Sequence, residues 1–231
     1  MMAGTLALVG SGEYLPPMEA VDRQLLGRLG HRARVVCLPT AAGAEGEERI
    51  DYWSRLGIEH FTRLGVPAQA ARVVDAASAR DAALAALVAS ATFVYLSGGK
   101  PGYLHQTLSG SPVWEAILHV LDSGGVVAGC SAGAMIFGEH IPGLRSPWPM
   151  RPGFGLLPGT VIIPHFDEIP GAFVSGLRPL LPRGTTLIGI EGNTALVRED
   201  DGCTVAGSGV VTVWGQAGKV RYKEGQTVTW A

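Results

Sequence analysis

Unbroken apolar runs, rather than alternating ones, recur through the first part of the chain at residues 6–9, 35–38, 93–96 and 126–130. A strand covered on both faces reads this way, which is the pattern of a parallel sheet packed between helices. Between the runs, apolar residues fall at helical spacing. Val21, Leu25 and Leu29 predict a helix over 18–29, and Ile50, Trp53, Leu56 and Phe61 predict another over 45–64, with Gly57 as a point of interruption. Val73 and Val74 read as a weak third strand, and helices are expected over 78–89 and 103–121. After a proline- and glycine-rich stretch at 141–158, strands at 161–163 and 186–190 enclose a helix over 173–181. Shorter segments at 210–214, 220–222 and 227–230 alternate about glycine turns and predict an antiparallel edge. The expected fold is α/β: a doubly wound, mostly parallel sheet flanked by helices, with antiparallel strands at the C-terminal end and residues 1–231 in a single domain.

The pattern changes character at Gly129-Cys130-Ser131-Ala132-Gly133, where an apolar strand meets a glycine-flanked corner and a helix is expected to continue. In a G-x-S-x-G corner the serine sits on a strained turn with its hydroxyl exposed, and the glycines stand where a Cβ would strike neighbouring chain. Cys130 is a rival nucleophile, since a thiolate attacks more readily than a hydroxyl. Register favours Ser131, because centring the motif on Cys130 puts Ala128 and Ala132 in the flanking places.

A serine hydroxyl needs a base, and the base needs a group to hold its tautomer. Of six histidines, His31, His60, His105 and His119 fall in or beside helices. His140 would lie about nine residues into the helix after the corner, carried away from the sheet edge. His165 directly follows a strand and returns to the edge where Ser131 points. Glu191 follows an apolar strand in the same way and is the preferred acid, with Asp167 and Glu168 as competitors. An oxyanion would draw on the Ala132 N–H and on Gly98 or Gly99. The stretch 141–158 is read as a wall of the site, since a long loop inside a compact domain is usually functional.

Bulk composition narrows the partners. The chain is 47% hydrophobic and 16% charged with a formal charge of −2, so neither nucleic acid nor an anionic membrane is favoured. No apolar stretch reaches the roughly 18–20 residues of a membrane span. Cys37, Cys130 and Cys203 are scattered, which fits neither a disulfide framework nor a zinc site and suits a reducing compartment. The first ten residues lack a basic leader, and a cytoplasmic location is expected.

Taken together, Leu96-Ser97-Gly98-Gly99, Gly129 to Ala134, Gly155-Leu156-Leu157-Pro158-Gly159, His165-Phe166 and Gly189 to Leu196 resemble the serine peptidase family that contains cyanophycinase and dipeptidase E, the aspartyl dipeptidase. That family has the class I glutamine amidotransferase-like, flavodoxin-like fold. The resemblance implies Ser131 as nucleophile, His165 as base, donors at Gly98, Gly99 and Ala132, no metal or organic cofactor, and hydrolysis next to aspartate in a small peptide or in the polymer cyanophycin. It also allows a homodimer. The chain departs from the family where cyanophycinases commonly read Gly-Ile-Asp-Glu and this sequence reads Gly189-Ile190-Glu191-Gly192, and where Lys100-Pro101 replaces an acidic-amide pair. The arginines that often follow the His-Phe pair are also absent between Asp167 and Val174. An acidic substrate side chain would want a cation, for which Lys100, Arg145 and Arg151 are candidates, with Asn193 a further substrate contact. A non-catalytic binding protein on the same fold is the alternative from another class. An α/β-hydrolase is disfavoured because its acid precedes its histidine in the chain.

Overall fold

The computed structural model describes residues 4–143, 150–200 and 202–230. The chain enters through β1 (Thr5–Val9), α1 (Glu19–Gly27), β2 (Val35–Leu38), α2 (Glu47–Arg63), β3 (Ala68–Ala70), α3 (Ala82–Ala89) and β4 (Phe93–Leu96). It continues through α4 (Pro101–Leu108), α5 (Pro112–Asp122), β5 (Val126–Cys130), α6 (Ala132–Met135), β6 (Gly138–Ile141), β7 (Arg151–Pro152) and β8 (Leu157–Ile163). The remainder is α7 (Gly171–Leu177), β9 (Thr186–Ile190), β10 (Thr194–Glu199), β11 (Gly202–Gly207), β12 (Val211–Gly215), β13 (Gly218–Tyr222) and β14 (Thr227–Val228).

Among the described residues these strands form two sheets. The larger has eight strands in the order β14-β11-β10-β1-β5-β4-β2-β3. Its β1-β5-β4-β2-β3 block is parallel, and β10, β11 and β14 extend it antiparallel. The smaller has the order β13-β12-β9-β8-β6-β7, with β6, β8 and β9 parallel. The predicted strands at 161–163 and 186–190 therefore belong to this second sheet. A run buried on both faces looks the same in sequence whichever sheet holds it.

The larger sheet alternates strictly between its two faces. Val35, Cys37, Phe93 and Tyr95 pack on one side with Val21 and Leu25 of α1 and Phe61 of α2. Val36, Leu38, Val94 and Leu96 pack on the other with α4 and α5, in a cluster that extends to Ile162, Ile188 and Ile190 of the second sheet. That cluster joins the two sheets. The opposite face of the second sheet, Val161, Ile163 and Leu187, is covered by Val174 and Leu177 of α7.

Four helix expectations are corrected. Helix α2 runs through Gly57 without a break: a Cβ there would stand 2.8 Å from Cys37 Sγ, so the glycine lets helix and sheet approach closely. The alanine-rich helix is interrupted at Asp81, whose side chain caps α3 by accepting the Leu84 N–H at 2.9 Å. The helix expected over 103–121 is two helices, because Gly110 turns at φ 60° and Ser111 caps α5 ahead of Pro112. The helix after the corner lasts four residues, since the returning chain takes its last carbonyls: Phe154 N donates to Ile136 O and Leu157 N to Phe137 O. His140 accordingly lies on strand β6. The third strand falls at Ala68–Ala70, short and only partly covered, rather than at Val73 and Val74.

The parallel block has one consequence for chemistry. In register, Val9 lies beside Cys130, and Leu96 beside Gly129, so the turns leaving β1, β4 and β5 emerge together at one edge. Strands β8 and β9 end side by side as well, with Ile163 beside Gly189.

Candidate active site

Ser131 occupies the corner between β5 and α6 with φ 50° and ψ −108°, a backbone conformation that costs a non-glycine residue about 1–3 kcal/mol unless its surroundings impose it. The surroundings do impose it. A Cβ on Gly129 would meet Gly133 C at 2.5 Å and Phe137 Cε2 at 2.7 Å, and one on Gly133 would meet Leu96 O at 2.6 Å. The corner is further tied by Ser131 N donating to Val9 O at 3.0 Å. Cys130 faces the other way, fully buried, and its thiol donates to Glu13 Oε2 at 2.9 Å. Burial first, and then the Glu13 carboxylate, push that thiol well above its ordinary range, which leaves it protonated and a poor attacker.

Glu13, itself buried, also accepts the Gly98 N–H at 3.0 Å through Oε1. This corrects the expectation that Gly98 points a donor at substrate, because its N–H is already held from beneath. Gly99 follows with φ 146° and sits so close to Ala41 O that any Cβ would approach it at 2.5 Å. Gly99 lines the same cavity as Ser131, and Ala132 follows the serine as the first residue of α6.

His165 leaves β8 after Pro164, with φ 51°. Its Nε2 lies 3.1 Å from Ser131 Oγ, and its Nδ1 lies 3.3 Å from Glu168 Oε1. Glu168 reaches the ring because the chain folds back in a turn, with Glu168 N donating to His165 O at 2.9 Å. Glu191 does not meet the imidazole. Its Oε2 accepts the Val210 N–H at 3.0 Å and its Oε1 accepts from Arg221 at 3.2 Å, so this carboxylate ties the end of β9 to β12 and β13. Asp167 is spent on the Gly192 N–H at 2.8 Å. Asn193, at φ 53°, packs its side chain on Gly12 and donates its backbone N–H to Ser11 O, apart from the cavity at Ser131.

That cavity has a volume of about 490 Å³. Gly99, Ser131, His165 and Glu168 reach it, and its other described walls are apolar. Lys100 and Arg151 line a separate hollow that adjoins it through Pro101, Pro142 and Gly143. Arg145 lies outside the described residues. Of the remaining histidines, His60 is buried against Asp22 at 2.8 Å and His105 lies on Phe154, both structural. Among the described residues no group of three or more His, Cys, Asp or Glu side chains is arranged to hold a metal ion. None of the described helices is long and apolar enough to cross a membrane.

The model of Peptidase family S51 matches residues 6–206. The chain belongs to that family. Its structure is similar to the crystal structure of a peptidase from an acI-B1 Actinobacterium, with a TM-score of 0.90 and 36% identity over 99% of this chain and 98% of the other. A putative peptidase E protein from Listeria monocytogenes EGD-e shares the fold at a TM-score of 0.67, with 17% identity over 90% of this chain and 100% of that one. No curated protein is significantly similar to the chain.

For a family S51 peptidase, two residues of this site were not readable as such in the sequence. Glu13 follows a glycine turn at the end of β1, and nothing in its spacing marks it as the buried acceptor beneath both Gly98 and Cys130. Glu168 stands in the sequence only as a competitor of Glu191, because a close chain neighbour of a histidine rarely turns its carboxylate back to the ring. The left-handed backbone of His165 is what makes the return.

Proposed function

We propose that this family S51 chain is a serine peptidase that cleaves small aspartyl dipeptides through an acyl-enzyme on Ser131. The observation that carries the reading is the 3.1 Å approach of His165 Nε2 to Ser131 Oγ, on a strained corner that lines a cavity. Ser131 Oγ attacks the scissile carbonyl carbon as its proton passes to Nε2. Glu168 receives the Nδ1–H and holds the ring in the tautomer that leaves Nε2 free to accept. The carbonyl oxygen becomes an oxyanion between the Gly99 and Ala132 N–H groups, which need no reorganisation as the charge develops. Collapse expels the amine with the proton from His165, and water then attacks the acyl-enzyme by the reverse proton path.

Glu13 acts from below: by taking the Gly98 N–H it fixes the turn and leaves Gly99 to face substrate. Lys100 and Arg151, in the adjoining hollow, supply positive charge for an aspartyl carboxylate. No carboxylate among the described residues forms an ion pair with either cation.

The test is a panel of α-aspartyl, lysyl and neutral dipeptides together with β-aspartyl-arginine, assayed with the native protein and with Ser131→Ala. The reading expects the α-aspartyl peptides to be cleaved fastest and the variant to lose on the order of 10³-fold or more in turnover. Faster cleavage of β-aspartyl-arginine would move the substrate to the cyanophycin type. Equal activity in the variant, or none in the native protein, would reject the serine mechanism.

A further inference from the structure

Resting on that reading, we propose that the apolar cavity beside Ser131 is the pocket for the leaving residue, and that it selects a bulky apolar side chain such as leucine on the amine side of the cleaved bond. The cavity is walled by Met135, Pro142, Ile163, Ile169, Pro170 and Leu177. Its side is set by the chemistry of His165. The imidazole that takes the serine proton must return it to the departing nitrogen, so the leaving residue lies on the His165 side of the serine. Ile163 and Ile169 lie two residues before and four residues after His165 in the same segment, and both line the cavity with it.

Charge separates the two sides. Lys100 and Arg151 do not line the cavity; they line the hollow beyond Pro101 and Pro142, which is left for the acyl residue. The carboxylate that does reach the cavity is Glu168, two-thirds exposed at its rim, and it repels an acidic leaving residue. The pocket is also preformed. Ile163 and Leu177 are buried and pack with Val161, Val174 and Leu187, so the floor is part of the core between β8, β9 and α7. An apolar side chain entering such a space exchanges water for a surface already ordered, and pockets of about 300–1,000 Å³ take ligands of small-peptide size.

The experiment keeps the acyl residue constant and varies the leaving one: Asp-Leu, Asp-Gly and Asp-Asp, with native protein and with Ile169→Ala, a partly exposed wall residue. Asp-Leu should exceed Asp-Gly by at least about tenfold in kcat/KM, given what single methylenes are worth in apolar pockets, and Asp-Asp should fall below Asp-Gly. In Ile169→Ala the leucine-to-glycine ratio should shrink toward one. A native ratio near one, a preference for Asp-Asp, or a ratio that Ile169→Ala leaves unchanged would overturn the assignment. Calorimetric binding of Asp-Leu and Asp-Gly to Ser131→Ala separates this from the catalytic reading. Tighter binding of Asp-Leu supports the pocket even if the native protein hydrolyses nothing, whereas equal or undetectable binding of both removes it.

Discussion

Ser131 and His165 lie 3.1 Å apart, yet the two segments that bring them together are built on opposite terms. The serine corner is held by covered strands, by two glycines pressed on their neighbours, and by a buried carboxylate with two donors. The histidine segment follows the second sheet out to the surface, where the imidazole is 39% exposed and its partner Glu168 is 66% exposed. The first half of the site is imposed by packing in the interior; the second is held nearer the surface, by the turn from Glu168 N to His165 O, by Phe166 N donating to Ile190 O at 3.1 Å and by Asp167 accepting the Gly192 N–H at 2.8 Å. The difference indicates where strength is needed. A nucleophile and its oxyanion donors must not move as charge develops, whereas a base that shuttles a proton between two partners works from a less confined position.

The largest effect should come from the rigid half. Ser131→Ala removes the attacking oxygen without disturbing the packing that shapes the corner, so turnover on the best peptide of the panel should fall on the order of 10³-fold or more with the melting temperature unchanged. Next is Glu13→Ala, which strands the Gly98 N–H and the Cys130 thiol in the interior. A urea titration should show about 1–3 kcal/mol less stability, and activity should drop with it; Glu13→Gln, which keeps an acceptor for Gly98, should recover part of both. A Glu13→Ala protein as stable and active as the parent would mean that the serine corner does not depend on its buried support.

Smaller effects belong to the exposed half. A solvent-exposed contact such as that between His165 and Glu168 is worth up to about 1 kcal/mol, so Glu168→Gln should slow turnover by no more than about fivefold. Glu191→Gln should slow it less, since its carboxylate serves Val210 and Arg221. The reverse order in the two rates would return the orienting role to Glu191.

The smallest effect concerns the cysteines. Cys37 is pushed by burial up to about 12 and Cys203 up to about 11, while Cys130 is raised well above its usual range. Iodoacetamide at pH 8 should therefore leave native activity untouched. These thiols keep their protons in the folded chain at pH values where the unfolded chain has lost them. Stability is thus fully present below the ordinary thiol range of about 8.5–9 and falls as pH rises from there toward 11–12, which thermal melts across that interval would read. Rising stability over the same interval would contradict the burial of the thiols.

The same contrast explains what the amino-acid pattern could disclose. Residues 35–38, 93–96 and 186–190 were readable as strands because each is buried on both faces, and the observed elements have those bounds. Ser131 was readable because its corner demands glycine at 129 and 133, a local sequence requirement. The split into two sheets left no mark in the pattern, since β8 and β9 are as apolar as strands of the larger sheet. Short β3 lacks the burial that writes a strand into sequence. The orienting carboxylate differs from the sequence expectation for a related reason. Position after an apolar strand favoured Glu191, but on this surface a three-residue return from His165 brings Glu168 to the ring while Arg221 claims Glu191.

The central claim is that one serine of this chain is chemically activated, and covalent labelling reads it most directly. A fluorophosphonate probe, followed by peptide mapping by mass spectrometry, should place a single adduct on Ser131 in the native protein and little or none in His165→Ala. No adduct on Ser131 under conditions where the protein is folded, or an adduct of equal yield once the imidazole is gone, would contradict it.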